Sequence, residues 1–439
     1  MKPPPTTSQQ SHQDQQSWAA TTIVLDDTAT RKPAIIKIVD GIYCAHDYAV
    51  ANVFLIVTDT SVVVIDSTKS PPAARAILND FRRTSSLPVS YLIYTHHHGD
   101  HTRGAKEFCS SETKILAHRL LSQEIARRNL FLPHRERINS QHYATVLRFA
   151  EDDYMAPTTT FEHHYTFEEG GVSFDLSHAP GETEDHLRIW LPQQKVLFPG
   201  DLFYGCFPML NNPLKPARPV SAWTESLDHM LTLQSEHLAP SHGLPMHGAA
   251  VIAETLASYA RAIRHIHDAT VRCINAGQSL DATLRKVRLP PELASLPYLR
   301  EKYGKVAWTV RGLFRQYTGW YDFNPSGLNA NPEPLRQRVL LEVCGVSPLV
   351  ERAQRALRED EPQLVLELAN VILAGWPGHL RARRLRLSAL QRLAAGSVSS
   401  MERNIYSRAA TAARAALDGG TTHSEQIAHA PTLHDNPSA

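Results

Sequence analysis

Residues 34–94 fall into short apolar blocks separated by polar and turn-forming residues. Ile35-Ile36-Lys37-Ile38-Val39 runs into a turn at Asp40-Gly41. Asn52 to Val57 and Ser61 to Ile65 follow, divided by Thr58-Asp59-Thr60. β-Branched runs of this length between turn residues predict strands, the last two joined tightly. Pro71 to Arg83 places Ala74, Ile77, Leu78 and Phe81 at helical spacing, and Val89 to Tyr94 returns to strand. Strands that read as continuous apolar runs, then alternate with a helix, predict an α/β core whose sheets are covered on both faces.

Beyond residue 250 the period changes. Ile252, Leu256, Tyr259, Ile263 and Ile266 keep a three-to-four spacing, with Gly277 placed to end the helix. Val306 to Tyr317 repeats that spacing after the break at Pro290-Pro291, and Asn324-Pro325-Ser326-Gly327 is a loop. Leu364 to Leu373 and Leu380 to Leu393 predict an antiparallel helix pair across Gly375-Trp376-Pro377-Gly378. The expected organisation is a disordered tail over 1–30, an α/β domain over 31–250, and a helical domain over 251–375. C-terminal helices over 376–417 and a second disordered tail over 418–439 complete it.

Composition narrows the functional classes. The chain has 439 residues, with Lys+Arg 45 against Asp+Glu 44 and a formal charge of +1. No net field steers it onto nucleic acid, and the run Arg381-Ala382-Arg383-Arg384-Leu385-Arg386 reads as one exposed helix face. No apolar stretch approaches the roughly 18–20 residues of a membrane helix. The Pro/Gln/Ser-rich start has no apolar core for a secretory signal. Five scattered cysteines, odd in number and without a CxxC, read as reduced thiols, so a cytoplasmic location is expected. Histidine is the outlier: there are 23, against 14 Tyr and 13 Phe.

The informative segment is Tyr94-Thr95-His96-His97-His98-Gly99-Asp100-His101, where a predicted strand opens into a loop. Alternate side chains of an extended stretch point the same way. His96 and His98 can therefore meet one ion, while Asp100 and His101, beyond the flexible Gly99, turn toward a second. Imidazole and carboxylate are ligands for Zn²⁺ and similar divalent ions. His97 points opposite to its neighbours and is expected to pack.

This His-x-His-x-Asp-His pattern resembles that of the metallo-β-lactamase superfamily of binuclear hydrolases. Pro180-Gly181-Glu182, Pro199-Gly200-Asp201 and Pro240-Ser241-His242-Gly243 then resemble the superfamily's downstream ligand segments. Most members carry histidine after that first Pro-Gly. Here it is Glu182, which resembles the alkylsulfatase subgroup. Asp40-Gly41-Ile42-Tyr43 and Val64-Ile65-Asp66-Ser67-Thr68 resemble that subgroup's start. His267-Asp268-Ala269-Thr270 through Leu293, and Tyr317-Thr318-Gly319-Trp320-Tyr321 through Pro325, resemble its dimerisation domain.

The resemblance implies a metallo-β-lactamase αββα sandwich followed by an all-α domain, in a homodimer. It implies two divalent ions: His96, His98 and Glu182 on the first, Asp100, His101 and His242 on the second, and Asp201 bridging. Zinc is expected, with Mn²⁺ or Fe²⁺ as harder alternatives favoured by the extra carboxylate. Asp100 and Asp201 are also the candidate catalytic carboxylates. The implied reaction is hydrolysis of an alkyl sulfate ester, a small-molecule substrate, by a metal-bridging hydroxide.

Departures keep other readings open. Asp201 stands where alkylsulfatases show glutamate, and the chain ends before the family's sterol-carrier-like domain. Only a loose match covers the segment that would hold the sulfate, where Asn211, Lys215 and Arg218 are the candidates. A phosphoester, lactone or thioester hydrolase, or a non-catalytic binding protein on the same fold, are the alternatives. His178, His186 and His247 flank the ligand segments, and Tyr204, Phe207 and Trp223 are aromatics beside them.

Overall fold

A computed structural model of the chain describes residues 32–143, 154–321 and 324–418. The tails expected over 1–30 and from 419 onward lie outside the described residues. The chain divides into two compact units, one of residues 1–138 and 147–322, the other of 139–146 and 323–439.

The first unit is built on two sheets. Seven strands lie side by side in chain order: β1 (Ala34–Val39), β2 (Ile42–His46), β3 (Val53–Val57), β4 (Val62–Ile65), β5 (Val89–Ile93), β6 (Lys114–His118) and β7 (Thr159–Phe161). The first four are antiparallel neighbours and the rest are parallel. The second sheet runs β8 (His164–Glu169), β9 (Val172–His178), β10 (Leu187–Leu191), β11 (Val196–Phe198), β12 (His237–Leu238) and β13 (Met246–His247).

The two-residue period of a strand sorts these side chains into layers. Along β3, Phe54 and Ile56 join the core with Leu176, Ile189, Val196 and Phe198 of the second sheet. Phe54 and Phe198 meet edge to face, 4.9 Å between centroids. Val53 and Leu55 join Ala74, Ile77, Phe81, Leu121 and Ile125 of the covering helices. A strand buried on both faces needs apolar residues at every position, which is why the sequence pattern is continuous there.

Helix Pro71–Phe81 is started by the Ser70 hydroxyl, which accepts from Ala73 N–H, and by proline at its first positions. Helix Ala249–Asn275 packs against β12 and β13, against Val220–Thr232 and against Val306–Thr318. The first unit is thus two sheets between two helical layers, and the chain continues as helices alone.

In the second unit, Val346–Arg358, Pro362–Gly375, Leu380–Gly396 and Ser400–Leu417 pack against their chain neighbours, with Glu333–Cys344 beside them. Ser399 caps the last of these by accepting from Glu402 N–H, a Ser-x-x-Glu start. Arg383 is tied to the Pro377 and Ala416 carbonyls and Arg386 to Asn370, so only Arg381 and Arg384 of the basic run are fully exposed. Among the described residues, no helix is long and apolar enough to cross a membrane.

Candidate metal centre

Every candidate ligand sits on a loop that leaves a strand. The segment after β5 carries His96 and His98 and enters the short helix Gly99–Thr102 with Asp100 and His101. The loop from β9 to β10 carries Glu182, the turn after β11 carries Asp201, and the loop from β12 to β13 carries His242. Sheet packing fixes the roots of these loops, and the loops themselves are free to supply polar side chains.

The seven residues converge. Potential ligand atoms of His96, His98, Glu182 and Asp201 lie within 4.8 Å of one another, and those of Asp100, His101 and His242 form a second such group. Asp201 adjoins both. Its Oδ2 is 3.8 Å from His96 Nε2 and 3.5 Å from His101 Nε2, and its Oδ1 is 3.2 Å from His242 Nε2. His96 Nε2 and His98 Nδ1 point at each other 2.9 Å apart.

These groups suit divalent ions on physical grounds. His101 Nε2 and Asp201 Oδ1 are buried without a hydrogen-bond partner, an arrangement proteins avoid unless something else satisfies the atoms. Burial, followed by the charge of His101 for His96 and of His96 for His98, holds both rings well below the ordinary imidazole range. Neutral rings keep the lone pair a metal needs. Burial opposes charge on His101, but Asp201, Asp66 and Asp100 outweigh it and hold the ring well above the ordinary range. Burial opposes charge on Asp201 also, and His242 and His101 overcome it, so its carboxyl lies well below the usual range. Burial pushes the Glu182 carboxyl up to about 8 even with Arg218 beside it. That carboxyl is short of positive charge, which a cation would supply.

An outer shell orients the rings. Asp66, fully buried after β4, has Oδ2 2.7 Å from His101 Nδ1 and accepts from Thr95 N–H and the Thr95 and Ser241 hydroxyls. His242 Nδ1 lies 2.8 Å from the Val50 carbonyl. Asn52 Nδ2 donates to the Pro240 and Gly243 carbonyls and holds that loop. His97 turns away from the cluster onto buried Asp185 at 2.7 Å, and its carbonyl accepts from Arg128. Carboxylate and carbonyl partners of this kind fix the tautomer of a liganding imidazole.

The flanking histidines part company. His186 Nε2 accepts from Asp201 N–H at 3.0 Å, so it positions Asp201 through the backbone. Gly200 allows this: its φ is +55°, and a Cβ there would lie 2.4 Å from His186 Nε2. His178 stacks on His118 at 4.0 Å, and His247 pairs with His237, away from both groups.

Of the candidates for the anion, Arg218 is buried and its guanidinium contacts Glu182 Oε2. Lys215 is half-buried; burial, then Arg218, lowers its pKa, while Glu182 and Asp100 oppose. Asn212 shapes the turn, accepting from Leu214 and Lys215 N–H. Asn211 is buried against Gly312, where a Cβ would come within 1.5 Å of its amide nitrogen. Tyr204, Phe207 and Trp223 are buried, and Trp223 Nε1 donates to the Leu202 carbonyl.

Asp185 and Asn52 had no sequence motif of their own, and Asp66 stood within Val64-Ile65-Asp66-Ser67-Thr68 with no role attached to it. A second signal for Asp66 was an acid at the end of an otherwise apolar strand, a place where charge needs a reason.

Known proteins bear on this arrangement. Residues 47–242 match the metallo-beta-lactamase superfamily model, and residues 280–416 match the model described as alkyl sulfatase dimerisation. A linear primary-alkylsulfatase of Pseudomonas sp. (strain ATCC 19151) is 29% identical over 387 residues, 81% of this chain and 73% of that protein. The alkyl/aryl-sulfatase BDS1 of Saccharomyces cerevisiae is 26% identical over 403 residues. The solved stereoselective inverting sec-alkylsulfatase Pisa1 from Pseudomonas sp. superposes with a TM-score of 0.81 over 87% of this chain at 22% identity, a likeness of fold. The chain spans less than two thirds of these last two, 62% and 66% of their lengths. Taken together with the His-x-His-x-Asp-His loop and the helical continuation, these matches show a metallo-β-lactamase superfamily domain followed by an alkyl sulfatase dimerisation domain, the arrangement of the alkylsulfatases to which the chain is similar.

Proposed function

We propose that this chain is a binuclear metal-dependent hydrolase of organic sulfate esters. The observation that carries this reading is the convergence of seven ligand-type side chains in two groups, with Asp201 of the first adjoining His101 and His242 of the second. Ions held by His96, His98 and Glu182, and by Asp100, His101 and His242, would supply Lewis acidity and an acidified water. Four imidazoles among seven ligands favour zinc, and the Glu182 oxygen leaves Mn²⁺ or Fe²⁺ as alternatives.

The chain's own residues account for the rest. Asp66 and the Val50 carbonyl hold His101 and His242 in their orientations. Asp201 keeps its carboxylate between the groups because His186 and Gly200 fix its backbone. Lys215 and Arg218 bring positive charge to the same surroundings, where a sulfate's outer oxygens need it. A guanidinium has five N–H donors, so its contact with Glu182 leaves others for an anion.

A substrate screen on metal-loaded protein tests this. Alkyl sulfates should show a higher kcat/KM than phosphomonoesters, lactones or thioesters of matched chain length. Turnover of one of those with none of any sulfate would replace this reading by the second one, the same centre acting on another ester. Asp201 at a position where alkylsulfatases carry glutamate is the feature that favours that alternative.

The match of residues 280–416 to a dimerisation domain supports a homodimer, with residues 31–250 as its catalytic domain. Light scattering at micromolar concentration should return about twice the 49.0 kDa chain mass; a mass near that of one chain would contradict it. Five unpaired cysteines support a reducing compartment, and so a cytoplasmic location.

A further inference from the structure

His237 and His247 occupy directly paired positions on the antiparallel strands β12 and β13. Their Nδ1 atoms are 2.8 Å apart and their ring centroids 5.0 Å. His237 is half-buried and His247 exposed, so the pair is open to solvent. Neither belongs to the two groups of the candidate metal centre. We propose that the His237–His247 pair is a second kind of metal site, a surface two-imidazole chelate that takes a Cu²⁺ or Ni²⁺ ion.

The separation carries the inference. Two nitrogens in neighbouring positions of a square arrangement, each about 2.0 Å from an ion, lie about 2.8 Å apart, whereas tetrahedral ligands would need about 3.3 Å. The pair therefore fits a tetragonal ion with little movement. A direct hydrogen bond between two Nδ1 atoms requires one ring to carry its proton there, and an ion can replace that proton. Burial and the neighbouring His247 lower the pKa of His237, so the rings resist double protonation at neutral pH. Glu236 alongside is paired with Lys195 at 2.6 Å.

The site has a structural consequence. The strands β12 and β13 are the two legs of the loop that presents His242, and Gly248 N–H closes its base on the Glu236 carbonyl at 2.9 Å. An ion shared by His237 and His247 would staple those legs together.

The test uses the full-length protein with its resident metals in place. Titration with Ni²⁺ should show one additional ion per chain, and His247→Asn or His237→Asn should abolish that increment without changing the resident metal content. Saturating Ni²⁺ should raise the unfolding midpoint of the unaltered protein by a few degrees and leave that of either variant unmoved. Cu²⁺ bound at the same position should give an electron paramagnetic spectrum with two nitrogen ligands, reduced to one or none in the variants. Equal Ni²⁺ uptake by the unaltered protein and both variants, or uptake by neither, would overturn the proposal. Both readouts are independent of catalysis, so they stand or fall separately from the sulfatase reading.

Discussion

Replacing Asp201 by alanine should cut the metal content from two ions per chain to at most one and remove turnover, while the protein still folds. No other side chain of the cluster adjoins His96, His101 and His242 together. Losing it therefore disturbs both groups, whereas His96→Ala or Asp100→Ala removes a donor from one. The fold should survive because Asp201 lies in a short turn after β11, and the apolar core between the sheets is made by Val196 and Phe198 before it. Losing a residue outside the ligand set costs about 10–100-fold in metal affinity or activity, so a shared ligand should cost more. Asp66→Asn, which touches His101 and not the ions, should fall within that smaller range. Elemental analysis beside a rate measurement decides the matter. Two ions per chain and full activity in Asp201→Ala would remove the binuclear reading.

How far the sequence could be read follows from where each constraint acts. The strands β3 and β4, and the end of β5 at Leu92-Ile93, were legible because they are buried on both faces, and only apolar residues survive there. The helices Pro71–Phe81, Ala249–Asn275 and Leu380–Gly396 were legible because one face of each is buried, which imposes their period. The strand β2 escaped notice as a separate element: Ile42-Tyr43-Cys44-Ala45-His46 mixes polar and small residues and lies between two stronger runs. Helix Val220–Thr232 went unread although Val220, Trp223, Leu227 and Met230 keep a three-to-four spacing, because the prolines at 213, 216 and 219 directly before it mark the stretch as loop. At the centre, the ligands were legible because their order and spacing along the chain follow from strands that end side by side. Their supports were not. Asp66 and His101 are 35 residues apart, and Asn52 reaches a carbonyl 188 residues on. Such partners are set by tertiary approach, and no local pattern announces them. The Arg218–Glu182 contact is of the same kind, and it adds to what Arg218 does: besides bringing charge toward an anion, it is a buried counterion of a candidate ligand.

That contact yields the second large effect. With metal removed by a chelator and the pH held above the Glu182 pKa of about 8, so that the carboxyl is ionised, Arg218→Ala should destabilise the protein by about 3–5 kcal/mol, the usual cost of stripping one partner from a buried ion pair. Both side chains are almost fully enclosed, so water cannot screen what is left. Glu182→Gln on the same background should recover part of the loss, because a neutral amide no longer needs a cation. Arg218→Lys should not recover it, since an ammonium lacks the planar fork of donors. Loading the metals should reduce the cost of Arg218→Ala, because the ion held by His96 and His98 then supplies the positive charge that Glu182 lacks. Denaturant unfolding of the four proteins, with and without metal, measures all of these. His186→Ala supplies the opposing control. Its ring accepts from the Asp201 N–H, so its loss should loosen Asp201 and lower activity without making Arg218→Ala insensitive to metal. If instead His186→Ala loses an ion while Glu182→Gln keeps both, and metal gives Arg218→Ala no relief, Glu182 is not a ligand. The glutamate that ties this centre to the alkylsulfatase pattern would then be only the partner of Arg218.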